Sequence, residues 1–86
     1  MKKYKIYAKA TCNYCNVLIQ ELIDRKKTFY VEFLDGDPKK LNELKKRYNH
    51  HTVPIVILCE EKETVVGGCE ETLKLLNRED EPHKRI

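Results

Sequence analysis

Four consecutive apolar residues, Ile55, Val56, Ile57 and Leu58, follow directly on Pro54. Neighbouring side chains of a strand point to opposite faces, so a run that is apolar at every position needs cover on both sides and reads as a central strand. Proline cannot donate to a sheet ladder, so Pro54 stands at the strand's beginning. The chain has 86 residues, enough for one compact layer structure with a modest core. A two-sided central strand in so short a chain selects a small sheet with helices on its faces.

The remaining elements fit around it. Residues 4 to 8 alternate as a strand does and run directly into Cys12 and Cys15. Thr11 is the expected start signal of a helix from Asn13 to Lys26, in which Cys15, Leu18, Ile19, Leu22 and Ile23 share one side at helical spacing. Residues 28 to 34, TFYVEFL, are rich in β-branched and aromatic types and predict a second strand. It stops at DGDP, where Asp37 caps a second helix and Pro38 enters its first turn. Leu41, Leu44 and Tyr48 form the apolar side of that helix, which ends near Asn49. After the central strand, EEKE turns the chain into a hairpin partner at Thr64 to Val66, and Gly67 and Gly68 lead to a short last helix with Cys69, Leu73 and Leu76 inward. Residues 78–86 are charged, contain Pro82 and are expected to fray. The expectation is an α/β chain, a single domain over residues 1–86. Its four-stranded mixed sheet is flanked by three helices in the order β-α-β-α-β-β-α. The first two strands are parallel through a right-handed crossover and the last two form an antiparallel hairpin.

Charge and hydropathy exclude several functions. The 17 Lys and Arg are interspersed with 14 Asp and Glu for a net charge of +3, which gives solubility but no basic stripe, so nucleic acid is not an expected partner. Lys5 and Lys9 interrupt the N-terminal apolar residues, and no run approaches the roughly 18 apolar residues of a membrane span. A cytoplasmic protein without a membrane partner is expected. In that reducing setting the four cysteines point to redox catalysis or metal binding, not to a structural disulfide framework.

Cys12 and Cys15 stand between a strand and a helix. At a helix start, unpaired N–H groups and the positive end of the helix dipole favour an anion. Lys9 adds positive charge nearby, so Cys12 is expected to ionise readily and act as nucleophile. Cys15 lies one turn further in, on the inward side, and would resolve a mixed disulfide formed on Cys12. Positions i and i+3 at a helix start bring their Cα atoms within the window of about 4.4–6.8 Å that a disulfide needs. Two readings stand beside this one. The thiols could simply fill space. Alternatively they could be half of a zinc site completed from Cys59, Cys69, His50 and His51, although none of these repeats a CxxC or HxxxH spacing. No metal site is expected.

Three motifs in order, KATCNYC at 9 to 15, TVPIVIL at 52 to 58 and GGCEE at 67 to 71, resemble those of the glutaredoxin family, a compact branch of the thioredoxin superfamily. The similarity spans residues 3 to about 77. It implies a thioredoxin-like fold and reduction of protein disulfides and glutathione mixed disulfides, with glutathione as electron donor. The proline matching Pro54 is cis in that family, and Val53 beside it would pair its backbone with the cysteinyl unit of glutathione, as in strand addition; Thr52 belongs to the same motif. Gly68, Cys69, Glu70 and Glu71 would hold the γ-glutamyl end at a helix N-terminus. The acidic side chains are longer than the Asp or Ser-Asp usual there. Lys9 would meet the glycine carboxylate, Tyr14 would wall the groove, and His51 stands where relatives often carry a basic residue. Cys59 is expected to be inert, and Cys69 to be a core or spectator thiol. Asn13 replaces the proline of the common CPYC motif. Some glutaredoxins lacking that proline bind a [2Fe-2S] cluster between two subunits with glutathione as a further ligand. The resemblance implies a monomer acting on disulfide-containing or glutathionylated proteins. A thioredoxin-like reductant served by a flavoprotein reductase and a cluster carrier are the alternatives.

Overall fold

The computed structural model describes residues 2–80. The elements follow the expected order: β1 (Lys3–Ala8), α1 (Asn13–Asp24), β2 (Phe29–Phe33), α2 (Pro38–Arg47), β3 (Ile55–Cys59), β4 (Glu63–Gly67) and α3 (Cys69–Asp80). They form one sheet in the order β2-β1-β3-β4. β1 runs parallel to β2 and antiparallel to β3, and β4 closes the antiparallel hairpin with β3. β3 is thus an inner strand, as its unbroken apolar run requires.

Its alternate residues divide the core in two. Val56 and Leu58 join Tyr4, Ile6 and Ala8 of β1 on the face that receives Cys15, Leu18 and Leu22 of α1 and Leu76 of α3. Ile55 and Ile57 join Tyr7 on the opposite face, under Leu41 and Leu44 of α2. Full burial of such side chains stabilises by roughly 1.5–3 kcal/mol each, so this double cover fixes β3 in register. The sheet holds the end of β1 steady, and the first thiol follows four residues after Ala8.

Several expectations are corrected. α1 ends at Asp24, short of Lys26, because Lys26 takes a left-handed φ of 56°. The amide of Lys26 then bonds back to Ile23 O and that of Lys27 to Leu22 O, a Schellman closure achieved without glycine. Ile23, expected inward, is half exposed. In α3 the fully buried polar residue is Thr72, whose Oγ1 donates to Gly68 O at 2.7 Å, while Leu73 is only partly buried. Arg78, Glu79 and Asp80 are helical, not frayed. Glu79 accepts from Tyr4 Oη at 2.6 Å and pairs with Lys2, and Asp80 pairs with Arg25 and Lys27. Residues 81–86 of the expected tail lie outside the described residues. No helix among the described residues is long and apolar enough to cross a membrane.

Candidate active site

The α1 start is built around sulfur. Cys12, not Thr11, is the N-cap: its backbone is extended, and its Sγ accepts the Cys15 N–H at 3.1 Å, where Ser, Thr, Asp or Asn usually supplies an oxygen. The Cys12 amide closes a turn onto Lys9 O at 3.1 Å, and the Asn16 amide bonds to Cys12 O at 3.2 Å. Asn13 occupies the first helical position that proline fills in the common motif. Cys12 Sγ also lies 3.8 Å from Val53 O. The sulfur therefore meets one donor, which serves the anion, and one acceptor, which serves the thiol.

The two thiols differ in access. Cys12 is partly exposed and Cys15 is fully buried. Burial, and next the hydrogen bond with Cys12, push the Cys15 thiol up to about 12 from an ordinary 9.0. Cys69 is buried as well, and its thiol is raised by burial, then by the charge of Cys12 and nearby glutamates. Cys59 sits at the far end of β3, with Cys12 and Cys15 approached from the other end.

A groove of about 280 Å³ is lined by Val53, whose carbonyl neighbours Cys12 Sγ. Tyr14, 70% exposed, forms one wall. Thr52, Val53 and Pro54 form a second, and the Val53–Pro54 bond is cis, as the resemblance implied. Gly68, Cys69, Glu70 and Glu71 at the start of α3 complete it. A more apolar hollow of about 380 Å³ between α1 and α3 shares Tyr14, Cys69 and Glu70 with the groove and adds Val17 and Leu73.

Gly67 has φ +125°, a backbone that disfavours any side chain, and a Cβ there would meet Glu71 Cγ at 3.1 Å. The Gly68 N–H is already used, because Glu71 Oε1 accepts it at 3.0 Å in a capping-box arrangement. Hydrogen bonds from its own amide and from Gly68 hold the Glu71 carboxyl below its ordinary value. The Gly68 amide expected to bind a ligand carboxylate is thus occupied, while Cys69 and Glu70 of the first turn also line the groove.

Two residues singled out in the sequence lie off the groove's lining. Lys9 reaches Cys12 through its carbonyl, and its side chain is not part of the groove's lining. His51 is solvent-exposed, whereas His50 lines the groove. The reason is the end of α2: Asn49 has φ 51°, and the amides of Asn49 and His50 bond back to Lys46 O and Lys45 O, a second Schellman closure. It turns His50 toward Gly68, where a Cβ would lie 3.4 Å from His50 Nε2. The left-handed Asn49 was the available signal for this, since asparagine tolerates that conformation better than most residues.

Comparison with known proteins adds a family. A glutaredoxin family model matches residues 5–62. The holo form of glutaredoxin C1 from Populus tremula x tremuloides is similar at 28% identity and a TM-score of 0.73, over 87% of this chain and 74% of that one. Glutaredoxin from Brucella melitensis shares the fold at 21% identity and a TM-score of 0.67, over 88% of this chain and 79% of that one. The search of curated proteins gives no significant match. The family match takes in most of β1, Cys12 and Cys15, and Val53–Pro54, and the solved structures cover more of the chain; this chain belongs to the glutaredoxin family.

Proposed function

We propose that this thiol-disulfide oxidoreductase is glutathione-dependent and reduces glutathione mixed disulfides and protein disulfides in a reducing compartment, the cytoplasm. One observation carries the reading: the partly exposed sulfur capping α1 accepts a helix N–H and lies 3.8 Å from the carbonyl of Val53, which lines a groove where the resemblance implies glutathione contacts. Cys12 thiolate attacks the glutathione sulfur of a mixed disulfide. A Cys12–glutathione bond forms, and the protein thiolate leaves and takes a proton from solvent. A second glutathione thiolate attacks the glutathione sulfur held on Cys12. Glutathione disulfide departs, and Cys12 returns as thiolate. With a protein disulfide, Cys12 forms the mixed disulfide with one protein sulfur, the other leaving as thiolate. Cys15 then gives up its proton and attacks Cys12, releasing the second protein thiolate and leaving a Cys12–Cys15 disulfide for glutathione to reduce. The high ionisation point of Cys15 keeps it protonated until that step.

In the groove, Val53 offers backbone groups to an extended peptide. The amides of Cys69 and Glu70 suit the γ-glutamyl carboxylate, with Glu70 available to its ammonium. Tyr14 packs against the tripeptide, and Thr52 flanks it. The apolar hollow between α1 and α3 gives the protein half of a substrate a surface to rest on.

Cluster carriage asks for thiolate ligands. Cys12 is placed to give one, but no group of three or more His, Cys, Asp or Glu gathers to hold a metal ion among the described residues; the other ligands would come from outside the chain. Turnover of a glutathione mixed disulfide with glutathione as the reductant supports the proposal. Dependence on a flavoprotein reductase contradicts it.

A further inference from the structure

Only four residues, 9 to 12, join the last residue of β1 to the first of α1, and the conformation of that link decides where the capping sulfur lies. Its middle is held from two sides. The Ala10 N–H donates to both oxygens of Asp35, at 2.8 and 3.1 Å. The Ala10 carbonyl accepts from Asn16 Nδ2 at 3.2 Å. The two partners stand on different supports. Asp35 follows β2 in a turn pinned by Leu34 N–H to Ala8 O at 2.8 Å and by Asp37 N–H to Leu34 O at 3.1 Å. Asn16 belongs to α1, and its own amide holds Cys12 O.

We infer that Asp35 and Asn16 are positioning residues for Cys12, acting through the two peptide groups of Ala10. The turn from Lys9 to Cys12 has one backbone bond of its own, Cys12 N–H to Lys9 O. One bond leaves such a turn free to pivot, because the exposed peptide groups of Ala10 could turn to water instead. With the carboxylate on one side and the amide on the other, both groups are satisfied in one orientation only. That orientation sets Cys12 at φ −87° and ψ 117°, with its sulfur on the Cys15 N–H and near Val53 O. The carboxylate bond is charge-assisted, its one N–H shared between the two oxygens, and the charge makes it the stronger arm.

This inference rests on the proposed role of Cys12 as nucleophile, yet its test involves no glutathione. The rate at which iodoacetamide alkylates Cys12 at neutral pH, read by peptide mass on the full chain, is compared across variants alongside the thermal midpoint. Asp35→Ala is expected to slow alkylation at least about fivefold, since a sulfur moved off the Cys15 N–H loses the donor that favours its thiolate, the form that reacts. Asp35→Asn keeps an oxygen acceptor for the same N–H and should stay within about twofold of the parent. Asn16→Ala should slow alkylation in the same direction and carries the test if Asp35→Ala does not fold.

A role in stability alone would lower the midpoint and leave the folded protein's alkylation rate unchanged. A simple charge effect would make both Asp35 variants faster, because a nearby carboxylate repels a thiolate. Folded Asp35→Ala or Asn16→Ala alkylating at or above the parent's rate, or Asp35→Asn as slow as Asp35→Ala, overturns the inference. If the alkylation pattern holds while glutathione turnover fails, the clamp stands and the glutathione reading falls.

Discussion

Cys12 and Cys15 share a helical turn, yet one sulfur caps the helix in partial contact with solvent and the other is fully buried. The proposed roles follow from that difference. Cys12→Ser is predicted to abolish all exchange, and Cys15→Ser to retain deglutathionylation while losing protein-disulfide reduction; assays on both substrate types check this, and equal loss in the two variants contradicts it. The buried thiol also makes an alkaline prediction. Its folded value of about 12 lies above the ordinary 9.0, so between these limits the folded chain holds a proton that the unfolded chain has lost. Stability is therefore fully present below 9.0 and falls as pH rises toward about 12. Urea unfolding at a series of alkaline pH values should show the parent losing stability more steeply than Cys15→Ala. The thiol pair and its position were legible in the sequence, because CxxC between a strand pattern and a helix pattern is a local signal. The place of His50 was harder to read, since it depends on a left-handed residue at the end of α2.

At the scale of elements, the expected helices and strands all formed, and the errors cluster at their ends. α1 closes through a left-handed lysine where sequence reading looks for glycine. α3 runs through Asp80 because its charges find partners on other elements. Tyr4 and Lys2 come from the first strand and the residue before it, and Arg25 and Lys27 from the link between α1 and β2. Such pairings join residues that are distant in sequence, so a local reading sees only a charged tail. Burial raises the Glu79 carboxyl, but hydrogen bonds from Tyr4, Lys2 and Lys27 outweigh it and bring the group below its ordinary 4.5. A carboxylate lowered in this way stabilises the fold above 4.5 and loses that contribution as pH falls through its folded value. Glu79→Gln is predicted to cost about 1.5–3 kcal/mol at neutral pH. Urea titrations of parent and variant should converge in acid. A gap that stays constant with pH would show that the charge is not what stabilises this junction.

For the whole molecule, the two-sided run at Ile55 to Leu58 made the layered architecture legible, and the helices cover both faces as it required. The groove was less legible. Its walls come from three separated segments whose order could be read, but no local pattern signals that Glu71 occupies the Gly68 amide or that the Lys9 side chain stays off the groove's lining. The proposed function needs one copy of the chain, whereas a shared cluster needs two. Size-exclusion chromatography after iron reconstitution with glutathione should therefore show a colourless monomer of 10.2 kDa; a coloured dimer would favour cluster carriage. The most direct measurement of the central claim is turnover of a glutathionylated peptide with glutathione as the only electron donor, coupled to detection of glutathione disulfide. The account predicts sustained turnover that Cys12→Ser eliminates. Absence of turnover until a flavoprotein reductase is supplied would contradict it.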